Sequence, residues 1–109
     1  MSLHVLAHPW EVQDVADGTA VRLTYRDLDV QTLSIWIDEL VELARESDRP
    51  TLYLDFEKVQ VLTSVVLGKL FVLDRRLREI GGGLVPCNLN LALREIFRTV
   101  GWPNDAAGT

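Results

Sequence analysis

Cysteine is almost missing from this chain, with Cys87 the single one among 109 residues. No intramolecular disulfide can form, and no cysteine cluster can hold a metal. Basic residues are also scarce. Eleven Lys and Arg stand against sixteen Asp and Glu, a net charge of −5, which argues against non-specific nucleic-acid binding because that needs cationic surface to release counterions from phosphate. No apolar run approaches the ~20 residues that span a bilayer. The start, MSLHVLAHPW, lacks the charged beginning and long apolar core of a signal peptide. The expectation is a cytoplasmic protein with no membrane insertion and no nucleic-acid partner. Internal repeats and low-complexity tracts are absent as well.

What remains is ordinary globular material. A hydrophobic content of 48% over 109 residues suits one compact domain and is too little chain for two. The expectation is a single domain over 1–109, with an N-terminal arm at 1–9 and a frayed tail at 104–109.

The segment 10-WEVQDVADGTAVRLTY-25 reads as two strands joined at Asp17-Gly18, a pair suited to tight hairpin turns. Val21, Leu23 and Tyr25 alternate with Arg22 and Thr24, so one side of the second strand is buried. From Leu33 to Ala44 the period becomes helical, with Leu33, Trp36, Ile37, Leu40, Leu43 and Ala44 on one face. Asp29 is placed as N-cap, with Gln31 and Thr32 in the first turn. Pro50 follows the helix, then a strand at 51-TLYLDF-56. A second helix starts near Thr63 or Ser64 and runs to about Ile80, with Val66, Leu70, Leu73, Leu77 and Ile80 inward and Lys69, Arg75, Arg76, Arg78 and Glu79 solvated. Gly81-Gly82-Gly83 stops it. The strand 84-LVPC-87 carries Pro86, which marks an edge or bulge, and Cys87 there behaves as a buried hydrophobe. A third helix, about Leu91 to Val100, turns Leu93, Ile96, Phe97 and Val100 inward. The order is β-β-α-β-α-β-α, an α/β fold with a mixed sheet and crossover helices.

Chemistry is sparse. In 61-VLTSVVLGKL-70 the Gly68-Lys69 pair is preceded by Val65, Val66 and Leu67, and β-branched residues cannot line a phosphate loop. The triple glycine sits at a helix C-terminus, the wrong end of the dipole for phosphate. A nucleophile elbow needs small residues beside the serine, and Ser64 has Thr63 and Val65. His4 and His8 lie in the N-terminal arm without a matching ligand cluster. Asp55 and Glu57 flank a strand end, where Asp55 reads as a turn or cap partner. Arg75, Arg76, Arg78, Arg94 and Arg98 read as solvated helix faces, or else as a docking patch for an acidic partner. Two adjacent hydroxyls remain. Capping the second helix uses one of Thr63 and Ser64. A phosphate on the other would lie against free amides and the positive end of the dipole. It would add about −1.5 to −2 charge at pH 7, enough to repel a partner surface without unfolding the helix.

Leu54-Asp55, Leu62-Thr63-Ser64, Leu67-Gly68, Gly81-Gly82, Asn88 and Gly101-Trp102 follow one another in an order and spacing that resembles the STAS domain of anti-sigma factor antagonists. That family has a strand ending in Asp, a pattern like D-S-S-G-L-G opening a helix, a G-G stop, a strand ending near Asn, and a helix closed by Gly and an apolar residue. The earlier 27-DLDVQT-32 is similar to the family's E-L-D-x-x-T, which places Asp29 and Thr32. The resemblance covers nearly everything after Trp10.

The resemblance implies a STAS-like fold and a binding module rather than an enzyme, with no cofactor, metal or small-molecule substrate. Ser64 falls on the position phosphorylated by a partner serine kinase, with Thr63 the second choice. Such kinases are anti-sigma factors with a histidine-kinase-like ATPase fold. The unphosphorylated antagonist sequesters the kinase and frees the sigma factor, phosphorylation breaks the complex, and a phosphatase resets it. The partner-binding residues expected on this basis are Asp29, Thr32, Thr63, Ser64, Val65 and Lys69. This chain departs from the family at Thr63, which replaces Asp, and at Val65-Val66, which replace a small Ser-Gly pair and crowd the helix start. The alternative function is a STAS scaffold that carries no phosphate, or an accessory subunit of a stress-signalling or lipid-transport ATPase complex.

Overall fold

The computed structural model describes residues 10–15, 18–24, 30–46 and 50–102. Strands β1 (Trp10–Val15) and β2 (Gly18–Leu23) come first, followed by helix α1 (Val30–Arg45), β3 (Thr51–Asp55), α2 (Ser64–Glu79), β4 (Gly83–Cys87) and α3 (Leu91–Thr99). This is the β-β-α-β-α-β-α order read from the sequence. The four strands form one sheet in the order β1-β2-β3-β4. β1 is antiparallel to β2, and β2, β3 and β4 are parallel. Parallel neighbours need crossovers, which α1 and α2 supply. Both cross in the same direction along the sheet, so right-handed connections put them side by side on one face. An Arg76–Asp38 ion pair at 2.5 Å joins them.

Alternation along the strands decides which side chains meet these helices. Thr19, Val21 and Leu23 of β2 are buried, as are Leu52 and Leu54 of β3 and Leu84 of β4. Leu33, Trp36, Ile37, Leu40, Val41 and Ala44 of α1 close over them with Val66, Leu67, Leu70, Leu73 and Leu77 of α2. Helix α3 adds Leu93 and Phe97. The Phe97 ring meets Phe56 edge-on at 5.7 Å and Trp102 at 5.2 Å, while Phe71 lies 4.6 Å from Trp102.

A buried carboxylate ties α2 to the sheet edge. Asp74 lies within the apolar stripe and is 4% exposed. It accepts from the Leu84 amide at 2.9 Å and from Arg78 Nε at 2.8 Å. Among the described residues β4 is the edge strand beyond β3, so one row of its backbone groups has no strand partner there. Asp74 satisfies one of them and places the helix against the strand.

Gly81 ends α2 with φ +94°, and its amide and that of Gly82 close on the Arg78 and Leu77 carbonyls. A Cβ on Gly82 would stand 1.8 Å from the Pro50 carbonyl oxygen, so only glycine lets the two backbones approach.

Several expectations need correction. Gly18 opens β2 rather than sitting in the turn, while Asp17 and Tyr25 lie outside the described residues. Val100 is exposed because α3 ends one residue before it. Cys87 is half-buried, since it points to the sheet face away from the helices. Lys69 is half-buried rather than fully solvated. Arg76 and Arg78 are held by Asp38 and Asp74 rather than standing free.

Candidate functional site at the start of α2

β3 ends at Asp55, and a short loop turns the chain into α2. The Asp55 carboxylate accepts from the Glu57 amide at 2.9 Å, an Asx-type turn. It also accepts from Asn88 Nδ2 at 3.0 Å, so one carboxylate joins the loop after β3 to the loop after β4. The Phe56 amide donates to the Cys87 carbonyl at 2.9 Å. Val59 and Leu62 are buried and pin the loop to the core, leaving Val61 outward and 50% exposed. Arg22 extends the polar cluster, reaching Glu57 at 3.1 Å and Glu11 at 3.9 Å. This cluster lies at the C-terminal ends of the parallel strands, where open α/β sheets present their loops.

The two hydroxyls take different places. Thr63 has extended backbone (φ −89°, ψ 164°), and its Oγ1 accepts from the Val66 amide at 3.3 Å. Its carbonyl accepts from the Leu67 amide at 3.0 Å, the first turn of the helix. Thr63 is therefore the N-cap. Ser64 is the first helical residue and is exposed, and among the described residues its hydroxyl has no hydrogen-bond partner. The first turn contains no acidic residue, so the helix end keeps its positive character.

Beyond Ser64 the outward face is apolar. Val65 is 58% exposed. Gly68 faces open space, with no atom within 4 Å of where a Cβ would stand, so packing does not require a glycine there. Lys69 follows Val65 at i+4 on the same face.

Thr63, Ser64, Val65 and Lys69 are thus brought together at one helix start. Thr32 is half-buried in the first turn of α1, and the two helices begin at the same end of the sheet. Asp29 lies outside the described residues. Sequence reasoning missed the roles of Asn88 and Asn90. Asn88 takes a left-handed φ of 56°, which asparagine tolerates, and so aims its amide at Asp55. Asn90 caps α3, accepting from the Leu93 amide at 2.8 Å. An Asn just ahead of a helical apolar pattern is an N-cap signal that could have been read.

Among the described residues, the perturbed titrating group near the site is Cys87. Partial burial raises its thiol pKa, and the neighbouring Asp55 carboxylate raises it further. A thiol shifted upward is a poor nucleophile at neutral pH. No group of three or more His, Cys, Asp or Glu among the described residues is arranged to hold a metal. No described helix is long and apolar enough to cross a membrane.

No protein-family model and no curated protein sequence matches the chain. Solved structures do. SpoIIAA, an anti-sigma factor antagonist, in its unphosphorylated form is 18% identical with a TM-score of 0.68, over 84% of this chain and 80% of that one. The phosphorylated form of the Bacillus protein is 18% identical with a TM-score of 0.64, over 84% and 83%. An anti-sigma-factor antagonist (STAS) domain protein from Planctomyces limnophilus is 16% identical with a TM-score of 0.68, over 84% and 80%. The chain has the STAS fold.

Proposed function

We propose that this chain is an anti-sigma factor antagonist, a protein-binding module that acts through the start of α2 and is switched by phosphate on Ser64. The observation that carries this reading is the division of labour between the hydroxyls. Thr63 caps the helix, so Ser64 is exposed and unengaged at the positive end of a dipole with no acidic neighbour in its turn. A phosphate there is tolerated by the fold and changes the surface that a partner meets. That SpoIIAA has been solved both with and without phosphate supports the compatibility of the fold with such a switch.

The partner in this reading is an anti-sigma serine kinase of histidine-kinase-like ATPase fold, in the cytoplasm. Thr32, Val65 and Lys69 contribute to the surface it meets, and Asp29 joins them on the sequence resemblance. The module performs no catalysis of its own and needs no cofactor, and residues 1–109 act as one domain. Intact mass after incubation with ATP and the cognate kinase is expected to show one added phosphate, abolished in Ser64→Ala. Ser64→Asp is expected to release the kinase. No added phosphate, or addition unchanged in Ser64→Ala, refutes the switch.

Exposed Val65 favours a second reading. It replaces the small residue found after the serine in the family pattern and stands 58% exposed where a kinase must approach. A scaffold or ATPase-accessory module would use that apolar surface without phosphate turnover. In that case Ser64→Asp leaves partner binding intact.

A further inference from the structure

Among the described residues the sheet has two edges, β1 and β4. They differ in what their outward backbone groups meet. In a strand the N–H and C=O of one residue point to one side, and those of the next residue to the other. The Phe56 amide donates to the Cys87 carbonyl, so Val85 and Cys87 face β3 while Leu84 and Pro86 face outward. Asp74 takes the Leu84 amide, and Pro86 has no N–H. β4 therefore offers no free outward donor, and it cannot pair fully with another strand.

β1 has no such protection. Carried across the register, the same alternation turns Thr51, Tyr53 and Asp55 toward β2, Gly18, Ala20 and Arg22 toward β1, and Glu11, Gln13 and Val15 toward β2. Trp10, Val12 and Asp14 therefore aim their backbone groups away from the sheet, and none of these groups has a partner among the described residues. β1 pairs with β2 residue for residue over its whole length, without a bulge, and it contains no proline and no lysine. Glu11, Val12, Gln13 and Val15 are all exposed. A regular edge with open donors and acceptors is a template for a further strand.

We propose that β1 pairs antiparallel with β1 of a second copy, about a two-fold axis at Val12, so that the two sheets become one. The register commits the edge to this occupant. Antiparallel strands exchange hydrogen bonds between residues that both face the gap. Centring on Val12 sets Val12 opposite Val12 and Trp10 opposite Asp14, so every outward residue of both copies is used, in three pairs with about six hydrogen bonds. A centre at Glu11 or Gln13 leaves one outward residue of each copy unpaired, and the first sets Glu11 against Glu11. With the centre at Val12, Glu11 stands opposite the uncharged Gln13 of the second copy. The two Glu11 are then diagonal neighbours, about 7–8 Å apart, and each has its own Arg22 at 3.9 Å. On the other face Val12, 45% exposed, meets its own counterpart. The contact is isologous and closes at two copies. The proposal does not depend on Ser64 or on a kinase.

Six residues make an edge of about 20 Å. A contact of that length stays well under the about 800 Å² per partner of a standard interface, so the dimer is a transient one. Sedimentation velocity of the full chain from about 20 to about 1,000 µM reads it. A reversible dimer is expected, tighter at about 500 mM than at about 50 mM salt, because salt screens two chains of net charge −5. Amide chemical shifts followed by NMR over the same series move most at Trp10, Val12 and Asp14. Val12→Pro removes an outward N–H and spares the ladder to β2, and it is expected to weaken the dimer at least about tenfold. Val12→Asp keeps every backbone group but sets two carboxylates directly opposite, and it weakens the dimer by a similar factor with unchanged circular dichroism. Glu11→Gln lifts the diagonal repulsion and tightens it. Val72→Asp on α2, away from the edge, leaves it unchanged. A monomer throughout the series overturns the proposal, as does a dimer indifferent to both Val12 variants.

Discussion

The split between Thr63 and Ser64 is open to a measurement that needs no partner. Truncating an N-cap Thr to Ala costs about 0.5–2 kcal/mol. The Thr63 bond is 3.3 Å long and only part-buried, past the usual range, which puts the expected loss toward the lower end, at about 0.5–1 kcal/mol. For a domain of this size 1 kcal/mol moves the melting temperature by about 4 °C, so Thr63→Ala is expected to melt about 2–4 °C lower. Its urea midpoint falls with an unchanged slope. Thr63→Ser keeps the acceptor oxygen and recovers most of the loss. Ser64→Ala removes a hydroxyl that bonds to nothing described and stays within about 0.5 kcal/mol of wild type. A loss at Ser64 alone would make Ser64 the cap and Thr63 the free hydroxyl, and equal losses would mean that both hydroxyls are engaged; either result refutes the assignment.

Asp74→Ala strands the Leu84 amide at the sheet edge and frees Arg78. It is expected to cost about 1–3 kcal/mol in urea unfolding, far more than loss of the exposed Arg98–Glu95 pair. For Cys87 the folded pKa lies above the unfolded one, so at alkaline pH the unfolded chain loses the thiol proton first. Stability from this group is therefore full below the unfolded thiol's pKa and falls as pH rises past it. A Cys87→Ala variant removes that part of the slope. Alkylation of Cys87 at neutral pH is slower than that of a free thiol, with partial burial adding to the effect.

The consequence for function lies in what surrounds the free hydroxyl. Val61, Val65 and Gly68 give the start of α2 an exposed apolar surface beside a polar cluster built on Asp55. In the proposed reading, a phosphate on Ser64 brings charge and hydration to this apolar surface, which a partner would otherwise meet dry.

Short-range pattern was enough to read the element order. Leu33 to Ala44 and Val66 to Leu77 repeat at helical period, β2 alternates, and Gly81 and Pro50 mark boundaries through backbone geometry that no distant contact can override. The pairing of a cap with a second hydroxyl was legible for the same reason, since a helix start is a local event. Which of Thr63 and Ser64 takes the cap was not, because the two differ by one residue in where the extended backbone gives way to helix. The depth of the Val59 and Leu62 anchors in the core helps to fix that point. Asp74 reads as one more charge on a helix until β4 is beside it, and the reach of Asp55 to Asn88 spans two loops that only the parallel sheet brings together. Likewise β1 was legible as a strand. That its outer row of backbone groups stays open among the described residues, while that of β4 is closed, depends on strand order and register, which are properties of the assembled sheet.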